Sequence, residues 1–316
     1  MAKDPAGHKS GYVAIVGKPN AGKSTLLNAL VGQKLAIVTA KPQTTRHRIL
    51  GILSGPGHQA MLVDTPGVLP GARVALDAAM MRSVRTALTQ ADVLCAVVDS
   101  AAAAAAADPA EGLDGLDITG AEGGPPLVVL LNKSDLLPAE EAERVRAHFA
   151  SRPGVAAALC ASAATGEGVQ ALEAWLVGHL PLGPSLYPKD MVSEHPERFF
   201  VAEIVRERIF ELYRQEVPYC TTVQVVEHRE ARPGSLNGAT RDLIRVRIIC
   251  ERESQRPILL GKGGAAIKEL STSARLAIED FLQRPVFLEL RVEVEANWRD
   301  STDLLERYGV NNASQL

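Results

Sequence analysis

Residues 17–24 are Gly-Lys-Pro-Asn-Ala-Gly-Lys-Ser, and they constrain the fold of this chain more than any other segment. An apolar run at 12–16 precedes them and leucines at helical spacing follow them, which is the order of strand, glycine-rich loop and helix that binds phosphate. Backbone N–H groups and the positive end of the helix are expected to point at a β-phosphate. Lys23 is expected to reach the β- and γ-phosphates, and the Ser24 hydroxyl to hold Mg²⁺. The predicted nucleotide contacts of this loop are Gly17, Lys18, Pro19, Asn20, Ala21, Gly22, Lys23, Ser24 and Thr25.

Residues 64–67, Asp-Thr-Pro-Gly, follow a second apolar run at 60–63. A carboxylate at a strand end beside the phosphate loop can hold Mg²⁺ through a water molecule, and the Gly67 amide can sense the γ-phosphate. The tetrapeptide alone is typical of a turn, so its order and spacing after the phosphate loop carry the interpretation. Four further nucleotide contacts are predicted here: Asp64, Thr65, Pro66 and Gly67.

The polar, basic loop at 41–48, the switch loop, lies between these motifs, where a nucleotide-sensing element is expected. One of its threonines must reach Mg²⁺ in the triphosphate state, and we favour Thr45 over Thr44. A turn role for Thr45, and plain solvation of Arg46, His47 and Arg48, are the open alternatives. The predicted catalytic residues are Lys23, Thr45, Asp64 and Gly67, and the predicted magnesium ligands are Ser24, Thr45 and, through water, Asp64.

Residues 132–135, Asn-Lys-Ser-Asp, follow the apolar strand 127–131 and indicate which base the site selects. The Asp135 carboxylate can accept hydrogen bonds from N1–H and the 2-amino group of guanine, whereas adenine offers neither donor. Asn132 is expected to bind the base edge and to tie loops together, and the stem of Lys133 to cover the purine face. Ser162 and Ala163 are expected to complete the pocket by offering a backbone N–H to guanine O6.

The second half of the chain has the predicted order α-β-β-α-α-β, which matches the prokaryotic type of KH domain. The predicted elements are a helix at 199–217, strands at 221–228 and 243–251, a helix before a glycine turn, a helix at 265–282 and a strand at 286–295. KH domains use a Gly-x-x-Gly turn to clamp the backbone of about four nucleotides, although the turn alone is common between helices. The predicted RNA contacts are Ile258, Gly261, Lys262, Gly263, Gly264, Lys268 and Arg275.

The formal net charge of −3 argues against a general polyanion-binding protein. Residues 241–275 nevertheless hold eight lysines and arginines against four acidic residues, a net of +4 around the glycine turn. Four widely spaced cysteines without a Cys-x-x-Cys pair favour buried thiols in a reducing compartment. Residues 1–11 lack the apolar core of a signal peptide, and no apolar run approaches the roughly 20 residues of a bilayer span. We predict a cytoplasmic protein, with peripheral contact at the inner face of the cell membrane left open.

A chain of 316 residues is long enough for two domains, each with its own core. Prolines and a glycine at 181–188 disfavour regular structure there. We predict a flexible N-terminus at 1–10, a GTPase domain at 11–182, a linker at 183–197, and a KH domain with a C-terminal tail at 198–316. The alanine run 101–107 and the Gly/Asp-rich stretch 108–126 are predicted to be a variable surface insertion without chemistry.

The phosphate loop, Asp-Thr-Pro-Gly, Asn-Lys-x-Asp and a C-terminal KH domain together resemble the Era family of bacterial GTPases. The resemblance extends over nearly the whole chain, including segments 43–48, 187–190, 203–207 and 297–299, and the alanine-rich segment departs from it. It implies an α/β P-loop GTPase domain, whose mostly parallel sheet has helices on both faces, followed by an α+β type II KH domain. It also implies GTP, GDP and Mg²⁺ as ligands, and a monomer that binds the single-stranded 3′ end of small-subunit (16S) rRNA during assembly of the 30S subunit.

Val68 stands where Ras-like GTPases carry a glutamine that orients the attacking water, so we expect slow intrinsic hydrolysis. Some related GTPases with an apolar residue here use K⁺, held partly by an asparagine of the phosphate loop. Asn20 occupies that position, and a role in shaping the loop is the alternative. An RNA-binding scaffold that holds GTP structurally is the alternative to a GTP-driven switch, whereas the Asn-Lys-x-Asp motif contradicts a P-loop ATPase or kinase.

Overall fold

The structure is a computed structural model that describes residues 4–39, 41–68, 71, 73–115, 124–231 and 240–310. The chain divides into two compact units. Among the described residues, the first contains those up to Arg73 together with Asp77–Glu194, and the second contains Val74–Leu76 together with those from His195 to Val310. Within the described ranges, no helix is both long and apolar enough to cross a membrane.

The first unit is an α/β layer structure. Its strands are β1 (Lys9–Val16), β2 (Ile49–Gly55), β3 (His58–Asp64), β4 (Val93–Asp99), β5 (Leu127–Asn132) and β6 (Ala157–Cys160). Its helices are α1 (Lys23–Val31), α2 (Ala75–Gln90), α3 (Ser100–Ala105), α4 (Ala139–Ala150) and α5 (Val169–His179). The strand order is β2-β3-β1-β4-β5-β6, and within the described part of this sheet only the pair β2–β3 is antiparallel.

The central strands of this sheet are apolar throughout because helices cover both of their faces. All six residues of β5 are buried, and so are the first six residues of β4. Helix α1 packs with α5, while α3 packs with α4. The predicted mostly parallel sheet with helices on both faces is confirmed.

Parallel strands bring the predicted nucleotide motifs to one edge of the sheet. The phosphate loop follows β1, Asp64 is the last residue of β3, and Asn132 is the last residue of β5. Because parallel strands end on the same side, loops distant in sequence meet at this edge.

The alanine-rich segment is more than the surface insertion that the sequence predicts. Helix α3 begins directly after β4, and the Asp99 carboxylate caps it by accepting hydrogen bonds from the N–H groups of Ala101 and Ala102. Ala103 is buried in the core of the first unit. Because the alanine side chain is small, helix α3 can pack closely against this core. The start of the segment is therefore part of the fold. The stretch 116–123 lies outside the described residues.

The predicted linker is largely folded onto the first unit as segment 183–194. The buried Gln59 side chain accepts hydrogen bonds from the N–H groups of Leu186 and Tyr187 (2.7 and 2.9 Å) and donates to the Tyr187 carbonyl (2.9 Å). The Ile52 N–H of edge strand β2 donates to the Val192 carbonyl (2.8 Å). These bonds satisfy buried polar groups, which explains why an irregular segment can be well anchored.

The second unit is an α+β structure with a three-stranded sheet. Its elements are α6 (Glu197–Leu212), β7 (Thr221–Arg229), β8 (Asp242–Cys250), α7 (Arg256–Leu260), α8 (Ala265–Leu282), β9 (Val286–Val294) and α9 (Thr302–Arg307). Strand β8 pairs antiparallel with β7 and parallel with β9. The predicted type II KH order is confirmed, and the short α9 adds to it. One face of α8 supplies Leu270, Ala274 and Ile278 to the core.

The first helix of this unit is shorter than predicted. Helix α6 ends at Leu212 rather than at residue 217, because Tyr213 adopts an extended conformation (φ −100°, ψ 155°). The Tyr213 hydroxyl donates to the carbonyl of Leu259 (2.7 Å), and Gln215 has a left-handed φ of 56°. The tertiary hydrogen bond and the turn therefore outweigh the helical pattern of the sequence.

Candidate functional site

The phosphate loop presents a buried cation. Lys23 is only 5% exposed, and its Nζ donates to the carbonyls of Gly17 (3.1 Å) and Lys18 (3.0 Å) within the loop. Burial lowers the pKa of Lys23 to about 8, while the negative charge of Asp64 opposes that shift. The ammonium group thus lies inside the loop, where the predicted β- and γ-phosphates would meet it.

Three oxygen-bearing side chains converge beside this lysine. The Ser24 hydroxyl donates to Asp64 Oδ2 (2.7 Å) and is 2.9 Å from Thr45 Oγ1. Asp64 is fully buried, and burial raises its pKa to about 6 against the lowering effect of Lys23. Its second oxygen, Oδ1, is buried and has no hydrogen-bond partner among the described residues. Hard oxygen donors with one unsatisfied carboxylate oxygen suit Mg²⁺, so the residues present fit this ion.

The structure distinguishes the two threonines of the switch loop. Thr45 is buried beside Ser24 and Asp64, whereas Thr44 lines the nearby cavity without a described bond to either residue. Arg46 is also buried, at 4% exposure, which contradicts its interpretation as a solvated loop residue. His47 and Arg48 are half-buried.

Asn132 joins the phosphate loop to the loop after β6. Its Nδ2 donates to the Ala21 carbonyl (2.8 Å), and its Oδ1 accepts from the Ala163 N–H (2.9 Å). A Cβ on Gly22 (φ 94°) would lie 2.1 Å from Asn132 Nδ2, so glycine is required there for this contact. The prediction left open whether Ser162 or Ala163 offers its backbone N–H to guanine O6. The N–H of Ala163 is engaged with the buried amide oxygen of Asn132. Through these two bonds, Asn132 ties the two loops together.

The other residues predicted to select guanine lie around this junction. Asp135 belongs to a short 3₁₀ helix, Ser134–Leu136; its carboxylate is exposed and has no hydrogen-bond partner in the described parts of the chain. Ser162 is buried, and its Oγ accepts from the Thr165 N–H (3.2 Å), which shapes the loop after β6. Lys133 has a left-handed φ of 62°, and its ammonium contacts Asp99.

The Asp-Thr-Pro-Gly segment packs directly on the phosphate loop. The buried Thr65 hydroxyl donates to the Ile15 carbonyl (2.9 Å), which fixes the segment to β1. Pro66 follows Thr65 in this segment. A Cβ at Gly67 would approach Pro19 to 2.8 Å, so the Asp-Thr-Pro-Gly segment and the phosphate loop are in close contact. The Val68 N–H donates to the Gly17 carbonyl (3.2 Å).

A cavity of about 290 Å³ lies between these loops. Some of the residues that line it were not predicted from the sequence. Asn28 fixes the loop that carries several of them, because its Oδ1 accepts from the N–H groups of Leu35 and Ala36 (2.9 Å each). An asparagine late in a helix gave no distinctive signal for this role. The predicted residues on the lining are Pro19, Asn20, Gly22, Lys23, Ser24, Thr25, Thr45, Gly67 and Lys133, and the missed ones are Ile37, Val38, Thr39 and Gln43.

The glycine turn of the second unit is an exposed backbone feature. Gly261, Gly263 and Gly264 have φ values of 71°, 60° and 80°, a left-handed conformation that side chains rarely adopt. Lys262 is exposed at the tip of the turn, and Ile258 on α7 is 50% exposed despite its apolar side chain. Such a turn lets a nucleic-acid backbone approach closely, with an apolar surface nearby for a base.

The two basic residues predicted on α8 differ in what they offer. Lys268 is exposed in the first turn of the helix. Arg275, seven residues later on the same face, is half-buried and pairs with Glu279 (2.6 Å), whose other oxygen accepts from the Val286 N–H. Arg275 therefore has a structural role at the start of β9, and Lys268 is the more accessible cation.

Part of the positive charge around the glycine turn is neutralised in the sheet. Arg245 bonds to Glu227 and Glu289, and Arg247 bonds to Glu293. The net positive charge of 241–275 is therefore less available to RNA than the sequence suggests. The exposed cations close to the turn in sequence are Arg252, Arg256, Lys262 and Lys268.

Comparison with known proteins agrees with this geometry. A family model described as 50S ribosome-binding GTPase matches residues 12–133, and a KH domain model matches residues 216–299. The protein GTPase ERA1, chloroplastic, of Zea mays is 49% identical over 312 residues, which cover 98% of this chain and 72% of the relative. GTPase Era of Geobacter sp. (strain M21) is 40% identical over 304 residues, which cover 95% of this chain and 97% of the relative.

Two solved structures are similar along almost the whole chain. A variant of Aquifex aeolicus Era bound to GDP and AlF4⁻ has 34% identity and a TM-score of 0.87, with 96% of this chain and 99% of that chain covered. Era in complex with MgGDPNP and nucleotides 1506–1542 of 16S ribosomal RNA has the same identity and coverage and a TM-score of 0.86.

One of these solved structures holds a mimic of a transition state. GDP with AlF4⁻ mimics the transferring phosphoryl group, and transition-state mimics bind where an enzyme stabilises its transition state. Identity of 40% over 95% of the chain shows common family membership. The chain therefore belongs to the Era family of GTPases, in which a GTP-hydrolysing domain is followed by a KH domain.

Proposed function

We propose that this protein is a GTP-driven switch that binds the single-stranded 3′ end of small-subunit rRNA through its KH unit and assists assembly of the 30S subunit. The observation that carries the proposal is an exposed Gly-x-x-Gly turn in a chain that also buries Lys23 inside its glycine-rich loop, next to the hydrogen-bonded pair of Ser24 and Asp64. The relative solved with MgGDPNP and a segment of 16S rRNA supports it. A monomeric state, a cytoplasmic location and peripheral membrane contact belong to the same proposal.

The roles of the individual residues follow from their placement. Lys23 is positioned to neutralise charge on the β- and γ-phosphates, and Ser24, Thr45 and Asp64 would hold the metal ion. Mg²⁺, when bound, neutralises the negative charge that develops on the phosphate oxygens. Asn132 keeps the loops together, while Asp135 selects guanine. Hydrolysis by this set depends mainly on positioning and electrostatics.

Water activation is the weak part of this site. Val68 is buried in the core of the first unit and offers no hydrogen-bonding side chain to an attacking water. We propose that K⁺ beside Asn20, which lines the cavity, accelerates hydrolysis in place of such a side chain. Faster hydrolysis in KCl than in NaCl is the expected result, and equal rates would refute the role of K⁺.

The function is tested by measuring affinity for a short single-stranded RNA matching the 3′ end of the cognate small-subunit rRNA, first with GDP and then with GDPNP. A switch requires different RNA affinities in the two states. Thr45→Ala should make the GDPNP state behave like the GDP state, because the contact between the switch loop and the metal site is lost. Thr44→Ala is the matched control, since Thr44 has no described bond to that site.

Each outcome has a defined meaning. Tighter RNA binding with GDPNP supports a nucleotide-gated clamp. Equal affinity in the two states favours the alternative of an RNA-binding scaffold that holds GTP structurally. No RNA binding in either state would remove the ribosomal assignment while leaving GTP hydrolysis in place.

A further inference from the structure

Asp99, at the end of β4, occupies a central position beside the guanine-selecting loop. The parallel register of β4 and β5 aligns Asp99 with Asn132, so the carboxylate lies next to the residue that precedes Lys133. Its Oδ1 accepts from the N–H groups of Ala101 and Ala102 (3.1 Å each), and its Oδ2 accepts from Lys133 Nζ (2.6 Å). One carboxylate thereby connects the start of α3 to the lysine of the nucleotide cavity.

Lys133 needs such a partner because its own loop does not fix the position of its ammonium group, for two reasons. Its side chain has several rotatable bonds, whose freedom would be lost when a base packs against the stem. It also lies two residues from Asp135, a carboxylate of opposite charge. A mobile ammonium group in this position would tend to pair with Asp135.

In the structure, the Lys133 ammonium and the Asp135 carboxylate do not pair with each other. Lys133 is bonded to Asp99, and within the described residues the Asp135 carboxylate has no hydrogen-bond partner. That carboxylate must remain available if it is to accept two hydrogen bonds from guanine, since a competing ammonium would have to be displaced first.

We propose that Asp99 is a positioning residue for guanine recognition: it holds the Lys133 ammonium so that the lysine stem lies over the purine and the Asp135 carboxylate stays available to the base. Asp99 acts through Lys133, since Lys133 lines the cavity and Asp99 is not among its lining residues. This inference rests on the proposed roles of Lys133 and Asp135, and it adds to them Asp99, a specificity-determining residue from outside the Asn-Lys-x-Asp motif.

The test uses Asp99→Asn in the full chain. Asparagine keeps the oxygen that caps α3, because it is as good an N-cap as aspartate, but it removes the charge that holds Lys133. We expect GDP to dissociate about five to ten times faster, whereas the kcat for GTP stays within about twofold. Asp108→Asn is the matched control, since Asp108 also caps a short helix through the Ala110 N–H (2.9 Å) but does not contact the cavity.

Base preference separates positioning from general destabilisation. IDP lacks the 2-amino group, so it depends on Asp135 for one hydrogen bond fewer than GDP does. Asp99→Asn should therefore weaken GDP more than IDP and reduce the ratio of their affinities, whereas a loosened fold would weaken both equally. Unchanged GDP dissociation together with an unchanged GDP/IDP ratio would overturn the inference.

A double-mutant cycle with Lys133→Met tests whether Asp99 acts through the lysine. Methionine keeps an apolar stem without the ammonium, and in this background Asp99→Asn should have no further effect. Fully additive effects would show that Asp99 acts independently and would overturn the inference. If Lys133→Met and Asp135→Asn both leave nucleotide binding unchanged, the proposed base site itself fails, which is a distinguishable result.

Discussion

The phosphate end of the nucleotide site buries its charged groups, whereas the glycine turn of the KH unit is exposed. Lys23, Asp64 and Asn132 are at most 5% exposed. Lys23 is held by a carbonyl of its own loop, whereas Asp64 and Asn132 bond to residues distant in sequence. Lys262 and Gly263 are exposed in a turn whose shape comes from glycine backbone angles. Buried charges interact strongly and tolerate little change, while exposed charges are screened by salt. The two sites should therefore respond very differently to substitution, pH and ionic strength.

The largest expected effect is a change of base preference in Asp135→Asn. The two acceptors of the carboxylate become one acceptor and one donor, so GDP affinity should fall by about 10³ while the affinity for xanthosine diphosphate rises. Competition binding measures both values, with Asp108→Asn as the matched control. RNA affinity in the absence of nucleotide should not change. Unchanged base preference would remove Asp135 from the site.

Asp64→Asn tests the proposed magnesium ligands and should reduce the kcat of GTP hydrolysis by about 10². The amide keeps the shape of the side chain but loses the charge of the carboxylate beside Ser24 and Thr45. Asp92→Asn is the matched control, because Asp92 is exposed and accepts the Tyr12 N–H (2.8 Å) at the start of β4. A kcat within twofold of the unaltered protein would show that Asp64 does not assist the metal ion.

The pH dependence should differ between the two regions. As pH falls through about 6, the Asp64 carboxylate gains a proton and loses the charge that attracts Mg²⁺; as pH rises through about 8, Lys23 loses its proton and positive charge. The kcat/KM for GTP should therefore be bell-shaped, with a roughly tenfold fall per pH unit on each limb. RNA affinity should stay nearly constant from pH 6 to 8, because the backbone N–H groups of the turn do not titrate. A kcat/KM that does not vary with pH would contradict the assigned effects of burial on the pKa values of Asp64 and Lys23. In Asp64→Asn, the fall of kcat/KM at low pH should disappear.

The smallest effect is expected in the exposed turn. Lys262→Ala should weaken RNA binding about three- to fivefold and reduce the slope of log K against log salt by about one, since one phosphate contact is lost. Arg229→Ala is the matched control, because Arg229 is an exposed cation that pairs with Glu227 in the sheet. Equal effects of the two substitutions would indicate general electrostatics rather than a contact at the turn.

Several features of both regions could be predicted from the sequence because they are local. The phosphate loop and the glycine turn are contiguous segments, and their glycines adopt positive φ angles that other residues rarely adopt. Helix α8 begins at Ala265 and ends at Leu282, as its apolar periodicity predicts, because the glycine turn directly precedes it.

Other features could not be predicted because they join residues far apart in the chain. The sequence contained a signal for Asp99, an acidic residue at a strand end before helix-forming alanines, but it did not indicate the bond to Lys133. The sequence offered no sign that Gln59 anchors segment 183–194, or that Tyr213 ends α6 by bonding to Leu259.

The sequence by itself determined the family, the two-unit organisation of the chain and the chemical identity of the nucleotide ligands, because each depends on short motifs and their order. Tertiary structure decided which threonine meets Ser24, how Asn132 joins two loops and which carboxylate holds Lys133. Strand order and register bring these groups within hydrogen-bond distance, and burial then shifts the pKa values of Lys23 and Asp64. Distance and burial arise only from the folded chain, because both depend on residues that are remote in sequence.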